Sequence, residues 1–457
     1  MRKRKTKWRS LLLILAVSFT MAFGSMGFAQ AASYDQTKTA FATCGDYLYN
    51  ENEAPRFGSI GGEWLIYGLG HAGYAMSDAY LAAYRKSVEQ ALEEGYRGTK
   101  GIFHDKKFTE YSRVIVAMRA VGMDATDVDG YDLTAPLADF VNVKWQGMNG
   151  PIWALIALDS GSYEVPKRTD AYAYGTLTPE ETDRQNSRQK MTDFILANQL
   201  DDGGWNLQPK DNGGSGYNAV SDVDMTGMAM IALAPYKKQA KVKKAIDRAI
   251  TYLSKQQQAD GGFGSWGTVN SESCAQAICG LLACGVNPNT DERFVKNGKS
   301  VLDGLMRFYD EKVGGFRHVN TASGGYEPVV NQMATEQAYY ALAFFYKSVP
   351  DKTTLTKAAK AGSGKLKVSW KQAEINTDYV TKRSGKTATV SGYQIVCATD
   401  KRFTKNVVKT TVSGKSLTKT VNGLKKGKTY YVKLRAYKTV NGTKIYGQYS
   451  SVKSCKA

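Results

Sequence analysis

Residues Gln199-Leu200-Asp201-Asp202-Gly203-Gly204-Trp205 decide how this chain folds, because the pattern returns along the sequence. Gln258-Ala259-Asp260-Gly261-Gly262-Phe263 repeats it, and Lys312-Val313-Gly314-Gly315-Phe316 repeats its core. Each copy follows an outer, amphipathic stretch. The glycines end a helix in a conformation with positive φ, and the aromatic ring that follows plugs the junction. The Asp before Gly-Gly is placed to accept from nearby backbone N–H groups. Turns of this kind predict helical hairpins.

Outward from these turns, residues 35–348 alternate two kinds of segment. One is apolar nearly all round, as in Met225–Ala234 and Ala275–Cys284. A helix apolar on every side is buried on every side. The other is amphipathic. In 241–257, Val242, Ala245, Ile246, Ala249, Ile250 and Leu253 fall on one helical stripe, with Lys, Asp and Arg opposite. Apolar segments begin at Glu63, Tyr111, Asn149, Asp224, Glu272 and Glu336. An amphipathic partner precedes each, near Phe41, Tyr80, Leu137, Met191, Ile246 and Leu302. The spacing, about 40–75 residues, falls in the range of helical-hairpin repeats. Six inner and six outer helices in alternation predict a closed (α/α)6 toroid, and closure removes the ends that an open solenoid must cap.

From residue 351 the composition shifts to Lys, Thr, Ala, Gly and Ser. Leu366–Trp370, Tyr393–Cys397 and Tyr430–Ala436 alternate as strands, and Asn441-Gly442 is a hairpin turn. The expected layout is multidomain: a signal peptide at 1–31, the toroid at 35–349, a linker at 350–362 and an all-β sandwich at 363–457.

Two resemblances follow. The QxDGGW/F turns joined to apolar helices resemble the repeats of the terpenoid cyclase and protein prenyltransferase superfamily, which includes squalene–hopene cyclases and cobalamin carriers. The C-terminal strands resemble a fibronectin type III domain, with Trp370 in the second strand and Tyr430 as a tyrosine corner beside Leu424 and Gly427. No RGD tripeptide is present.

The N-terminus reads as an export leader. Arg2, Lys3, Arg4, Lys5, Lys7 and Arg9 precede the apolar run Leu11–Phe19, and Ala29-Gln30-Ala31 has the small-x-small form of a cleavage site. A secreted or cell-surface protein is therefore expected. Charge is uneven. Residues 351–457 hold 24 Lys and Arg against 4 Asp and Glu, a net +20. The leader carries +6, and the whole chain is +19, so residues 33–350 are left at −7. A basic C-terminal region on an exported chain points to an anionic envelope polymer or lipid headgroup as partner, or to a solvated Lys-rich surface, and away from nucleic acid. Six cysteines show no CxxC, and Cys274, Cys279 and Cys284 read as small buried hydrophobes.

The resemblance implies a cavity reached from the N-terminal ends of the inner helices. Polar residues there are Glu63, Glu110, Asn149, Asp222, Asp224, Glu272 and Glu336, joined by Gln276 and a rim histidine, His318. Carboxylates at helix N-termini also serve as caps and dipole partners. Trp64, Tyr67, Tyr111, Trp153, Tyr339 and Tyr340 are the aromatic candidates for a cavity wall, with core packing as the ordinary alternative. Tyr172 and Tyr174, within 166–183, are candidates for a lid.

Ser221-Asp222-Val223-Asp224-Met225-Thr226 resembles the DxDD acid motif of squalene–hopene-type cyclases. The resemblance implies Asp224 as proton donor to an alkene and Asp222 as its support. Such a carboxyl must stay protonated in a desolvated site. Met225 replaces the last Asp, so a competent cyclase is not expected. No metal set is expected, because Ser273-Cys274 lacks the Asp-x-Cys spacing and His71, His104 and His318 are the only histidines; no cofactor motif appears either. The leading expectation is a binding protein that holds a small molecule, glycan or peptide in the toroid, with the sandwich as spacer or tether. A terpene-type cyclase, a glycan-active enzyme and a purely structural module are the alternatives.

Overall fold

A computed structural model describes residues 28–169, 183–210, 220–385 and 389–457. The expected leader falls almost wholly outside the described residues, as do Tyr172 and Tyr174.

The helical region alternates as the hydrophobic pattern requires. Helices α1 (Phe28–Glu51), α2 (Trp64–Ala72), α3 (Asp78–Glu94), α4 (Thr109–Ala120), α5 (Phe140–Val143) and α6 (Asn149–Ser160) form the first half. Helices α7 (Arg188–Ala197), α8 (Val223–Leu233), α9 (Ala240–Gln256), α10 (Ser271–Ala283), α11 (Val301–Met306) and α12 (Gln332–Ser348) form the second. The even-numbered helices pack in order, α2 to α12, and α12 packs back on α2. They make a closed inner ring. The odd-numbered helices lie outside it. α9 shows why: Val242, Ala245, Ile246, Ala249, Ile250 and Leu253 are buried, and the charged face is not. α10 is buried along almost its whole length. Two outer members are short. α5 is a single turn between the 3₁₀ turns Ala135–Ala138 and Lys144–Gln146, and α11 has six residues.

The repeated turns explain themselves chemically. Gly203, Gly261 and Gly314 have φ of 99°, 90° and 85°, which only glycine adopts without strain. Asp202 and Asp260 each accept from the N–H of the second glycine, at 3.0 and 2.9 Å. The rings of Trp205, Phe263 and Phe316 are fully buried. Each aromatic residue also donates its own N–H to a side chain in the next inner helix: Thr226, Cys274 and Thr335. Gln199 and Gln257 stitch turn to neighbouring hairpin, each donating to two carbonyls.

Two short hairpins, β1 (Gly264–Ser265) with β2 (Thr268–Val269) and β3 (Tyr309–Asp310) with β4 (Gly315–Phe316), lie among the helices. Strands from residue 355 onward form two sheets, so most of the expected 350–362 linker is instead the first strand of the sandwich, held by its ladder to the next. One has the order β5 (Leu355–Gly362), β6 (Lys365–Trp370), β9 (Thr418–Val421). The other has the order β11 (Thr443–Tyr446), β10 (Thr429–Val440), β7 (Gly392–Ala398), β8 (Val408–Ser413), and β12 (Lys453–Lys456) also pairs with β10. All pairs are antiparallel. Between the sheets lie Leu366, Val368, Trp370, Ile395, Val432 and Leu434. The Tyr430 hydroxyl accepts from the Lys425 N–H at 3.0 Å and ties the chain before β10 to its start.

This β-region is not a free spacer. It is seated on the C-terminal ends of the inner helices. Asn376 donates to the carbonyl of Ala72, Lys382 to that of Gly73, and Asn441 to that of Ala283, at 2.7, 3.0 and 3.0 Å. These are carbonyls at or just past the ends of α2 and α10, which lack a partner inside their own helices. The short helix α13 (Tyr379–Arg383) and the β10–β11 hairpin supply the contact face.

Candidate functional site

The centre of the ring is filled. Trp64 of α2 meets Trp153 of α6 at a centroid distance of 4.9 Å, across the ring from one non-adjacent helix to another. Tyr340 lies 6.1 Å from Trp64 and 5.7 Å from Tyr67. Its hydroxyl is held by Gln276, which also donates to Gln337 at 3.1 Å and so bridges α10 and α12. This aromatic plug divides the ring into two ends of different character.

The N-terminal end is polar and acidic. Asp222 is the N-cap of α8, accepting from the Met225 N–H at 2.9 Å and from the Ser265 hydroxyl. Capping is what it does. Asp224 lies two residues further on, in the first turn of α8, and its Oδ1 is buried without a partner. Burial first, then the charge of Asp222, push the Asp224 carboxyl up to about 7; Ser273 opposes the shift and Glu272 adds to it. Glu272 Oε2 lies 2.8 Å from His318 Nδ1 and accepts from Ser271 at 2.9 Å, while Oε1 is buried and unpartnered. The Tyr326 ring packs at a tilt against His318, with centroids 4.3 Å apart.

Glu63 and Glu336 form a second group on the same end. Glu63 is fully buried and accepts from the Gly58 N–H at 3.0 Å and from Arg113 at 3.3 Å. Glu336 Oε1 accepts from the Gly61 N–H at 2.8 Å and from Gln332 at 2.9 Å; Oε2 is buried and unpartnered. Burial raises both carboxyls to about 7, against the pull of Arg113 on Glu63 and of the Gly61 N–H on Glu336. These two carboxyls hold the irregular segment 58–62 against α2. Asn149 Oδ1 is a further buried acceptor without a partner, at the start of α6. Tyr111 faces elsewhere: its hydroxyl accepts from the Phe103 N–H at 3.0 Å and its ring packs on Phe103 and Phe108. It is a core residue. Met225, in the last position of the acid motif, is buried among apolar neighbours. Among the described residues no cluster of His, Cys, Asp and Glu has the makings of a metal site.

A cavity of about 490 Å³ lies at the other end, between the C-terminal turns of all six inner helices and the β-region. Of the residues expected from sequence as cavity lining, Tyr67 alone contributes to it. The expectation placed the opening at the helix N-termini; here the plug lies beneath the cavity, and Tyr67 and Phe344 form its floor. Ile156 and Ile231 add apolar wall, and Val380 and Val440 close it from the β-region. A charged cluster crosses the junction. Lys347, in the last turn of α12, lies 3.1 Å from Asp378 Oδ2 and 3.1 Å from His71 Nδ1. Burial and the nearby Lys347 keep the His71 ring neutral, far below its ordinary value. Lys347, with Asp378, faces both parts of the chain.

Sequence reasoning missed this second site for a physical reason. Arg119 and Lys347 sit in the last turns of α4 and α12, where cations complement the helix dipole. Nothing local marks them as facing a cavity, because the other wall comes from residues 378–381 and 438–441.

Comparison with known proteins bears on the helical part. Residues 171–303 match the family model of the squalene-hopene cyclase C-terminal domain. No curated protein matches. Among solved structures, ent-copalyl diphosphate synthase from Streptomyces platensis is 19% identical over 62% of this chain and 50% of its own length, with a TM-score of 0.36. The FN5 domain of Drosophila Lar is 21% identical over 24% of this chain and 96% of its own, and the chicken CNTN1 FN1-FN3 domains are 20% identical over 24% and 32%; both have a TM-score of 0.18. The matched span 171–303 includes Asp222, Asp224, Glu272 and Gln276, so this stretch of the ring is squalene cyclase-like in sequence.

Proposed function

We propose that this protein is an exported ligand-binding protein: a terpenoid cyclase-type (α/α)6 toroid, 35–349, followed by a fibronectin type III-like sandwich that begins with the strand Leu355–Gly362 and serves as its lid. The observation that carries the reading is the cavity of about 490 Å³ between ring and β-region. That volume suits a small organic molecule, and apolar walls with a few polar groups are the usual composition of such sites. The acid end supports the same reading by contrast. Its carboxyls hold backbone and neighbouring side chains, and the plug of Trp64, Trp153 and Tyr340 separates them from the cavity. The leader supports export, and the basic C-terminal region supports contact with an anionic envelope polymer on its outer faces.

The test uses a neutral apolar dye, N-phenyl-1-naphthylamine, whose fluorescence rises in apolar sites. Wild-type protein should bind it. Ile231→Trp, which fills the cavity from the ring side, should abolish binding, and Asp224→Asn should leave it unchanged. Binding that survives Ile231→Trp would remove this reading.

A second reading has its own observation. Asp224 retains its proton to about pH 7, as an acid catalyst must. Proton-initiated cyclisation at Asp224 then requires turnover of an unsaturated isoprenoid such as squalene, lost in Asp224→Asn. Intact protein that leaves squalene unchanged would exclude it for that substrate.

A further inference from the structure

We propose that the cavity between the ring and the β-region takes a small monoanionic amphiphile, its charged head between Arg119 and Lys438 and its apolar body on Tyr67, Phe344, Ile156 and Ile231. This rests on the binding reading above and adds the chemical class of the ligand.

Charge decides the class. Three cations line the cavity, Arg119, Lys347 and Lys438, against two acids, Asp159 and Asp378. Both acids are occupied. Asp159 accepts from Arg188 at 2.8 Å and from the Tyr236 hydroxyl at 2.7 Å. Asp378 is taken by Lys347. Arg119 and Lys438 have no carboxylate partner among the described residues; Lys438 reaches only the Thr389 carbonyl, at 3.4 Å. Burial chiefly, and then the like charges of Lys438 and Arg119, weaken the hold of Lys347 on its proton, which places both cations near it. With Asp159 held by Arg188 and Asp378 by Lys347, Arg119 and Lys438 remain as two lining cations without a carboxylate, partly offset by the helix C-terminal ends around them. An anion entering from water meets two cations in a partly apolar enclosure, where charge-assisted hydrogen bonds are strongest.

The same wall limits the charge to one. Six helices point their C-terminal ends at this cavity, and each brings partial negative charge. Asp159 and Asp378 add to it. A second negative charge on the head would face these groups at close range. The floor selects the body: Tyr67 and Phe344 present ring surface, and Ile156 and Ile231 present branched aliphatic surface.

The test compares two dyes with one ring system. 8-Anilinonaphthalene-1-sulfonate carries a single negative charge, and N-phenyl-1-naphthylamine lacks it. The charged dye should bind about tenfold more tightly, the low end of what one charge-assisted hydrogen bond contributes. Arg119→Gln and Lys438→Gln should each erase most of that advantage and leave the neutral dye unaffected, which also shows that the variants are folded. Octanoate should displace the charged dye better than octyl phosphate at pH 8, where the phosphate is a dianion. Equal binding of the two dyes, or an advantage that both charge variants keep, overturns the monoanion. Stronger displacement by octyl phosphate overturns the single charge. Binding of both dyes that survives Ile231→Trp and, from the opposite wall, Val440→Trp overturns the cavity as the site. In that case the parent reading fails with it; in the other cases it stands.

Discussion

Lys347 Nζ lies 3.1 Å from Asp378 Oδ2, and this pair joins the last turn of the final inner helix to the β-region that covers it. Both side chains are about one-quarter to one-third exposed. Lys347 pulls the Asp378 carboxyl down to about 2, helped by bonds from Thr381 and opposed by burial. An unfolded Asp releases its proton near pH 4. The contribution of Asp378 to stability is therefore complete above about pH 4 and is lost as pH falls toward 2. Asp378→Asn should destabilise the docked state by about 1–2 kcal/mol at pH 7, a value reduced from the fully buried case for partial exposure. Urea denaturation with a Lys347→Met, Asp378→Asn double-mutant cycle measures the coupling. A coupling of zero would mean that the pair does not hold the β-region to the ring.

Gly227 and Gly280 set how closely α8 and α10 approach. A Cβ on Gly227 would lie 2.5 Å from the Gln276 carbonyl oxygen, and one on Gly280 would lie 2.8 Å from the Gly227 carbonyl oxygen. Backbone cannot give way cheaply at such distances. Gly227→Ala should cost about 2–4 kcal/mol, in the range of core overpacking, despite the better helix propensity of alanine. The same shift displaces Gln276, which holds Tyr340 in the plug. A lowered urea midpoint with unchanged slope checks this; an unchanged midpoint would mean that α8 and α10 separate freely.

Much of this was legible in the sequence, and the division is physical. Trp205, Phe263 and Phe316 follow Gly-Gly at fixed offsets, so local chemistry announces the turns. Apolar periodicity announces the inner and outer helices, and alternation announces the strands around Tyr430. Asp222 was legible as a possible cap. What the sequence did not display was which end of the ring stays open. That depends on Trp64 and Trp153 meeting across the lumen, and on residues 376–383 and 438–443 reaching the far end of helices hundreds of positions earlier. Side chains that meet only in tertiary structure leave no local pattern.

Cysteine chemistry offers a simple check on the fold. Cys44, Cys274, Cys279, Cys284 and Cys397 are buried, Cys455 is half-buried, and all six are free. Burial raises the thiols of Cys274, Cys284 and Cys397 to about 12 and those of Cys44 and Cys279 further. A thiol reacts as its thiolate, so buried thiols of this kind are inert. Ellman's reagent should titrate Cys455 in native protein at pH 8 and release the other five only in denaturant. Rapid reaction of Cys279 in particular would show that the cavity it lines is open to reagents of that size.

Asp224 and Glu336 give the fold a pH dependence opposite to that of Asp378. In an unfolded chain these carboxyls lose their protons near pH 4. In the fold each keeps its proton to about 7, chiefly because burial penalises the charged form. Between those values the folded state binds more protons than the unfolded state. Their contribution is therefore complete below about pH 4 and is lost as pH rises through 7. Asp224→Asn keeps the shape of the protonated acid and has nothing to ionise. It should match wild-type stability near pH 4 and exceed it at pH 8, by about 1–2 kcal/mol once relaxation of the site is allowed for. Glu336→Gln should behave the same way, less strongly, because ionised Glu336 would still be met by the Gly61 N–H and Gln332. Guanidinium denaturation at intervals across pH 4–8 separates the cases. Parallel curves for wild type and Asp224→Asn would place the Asp224 carboxyl in contact with water, and the proton-donor reading would lose its one supporting observation.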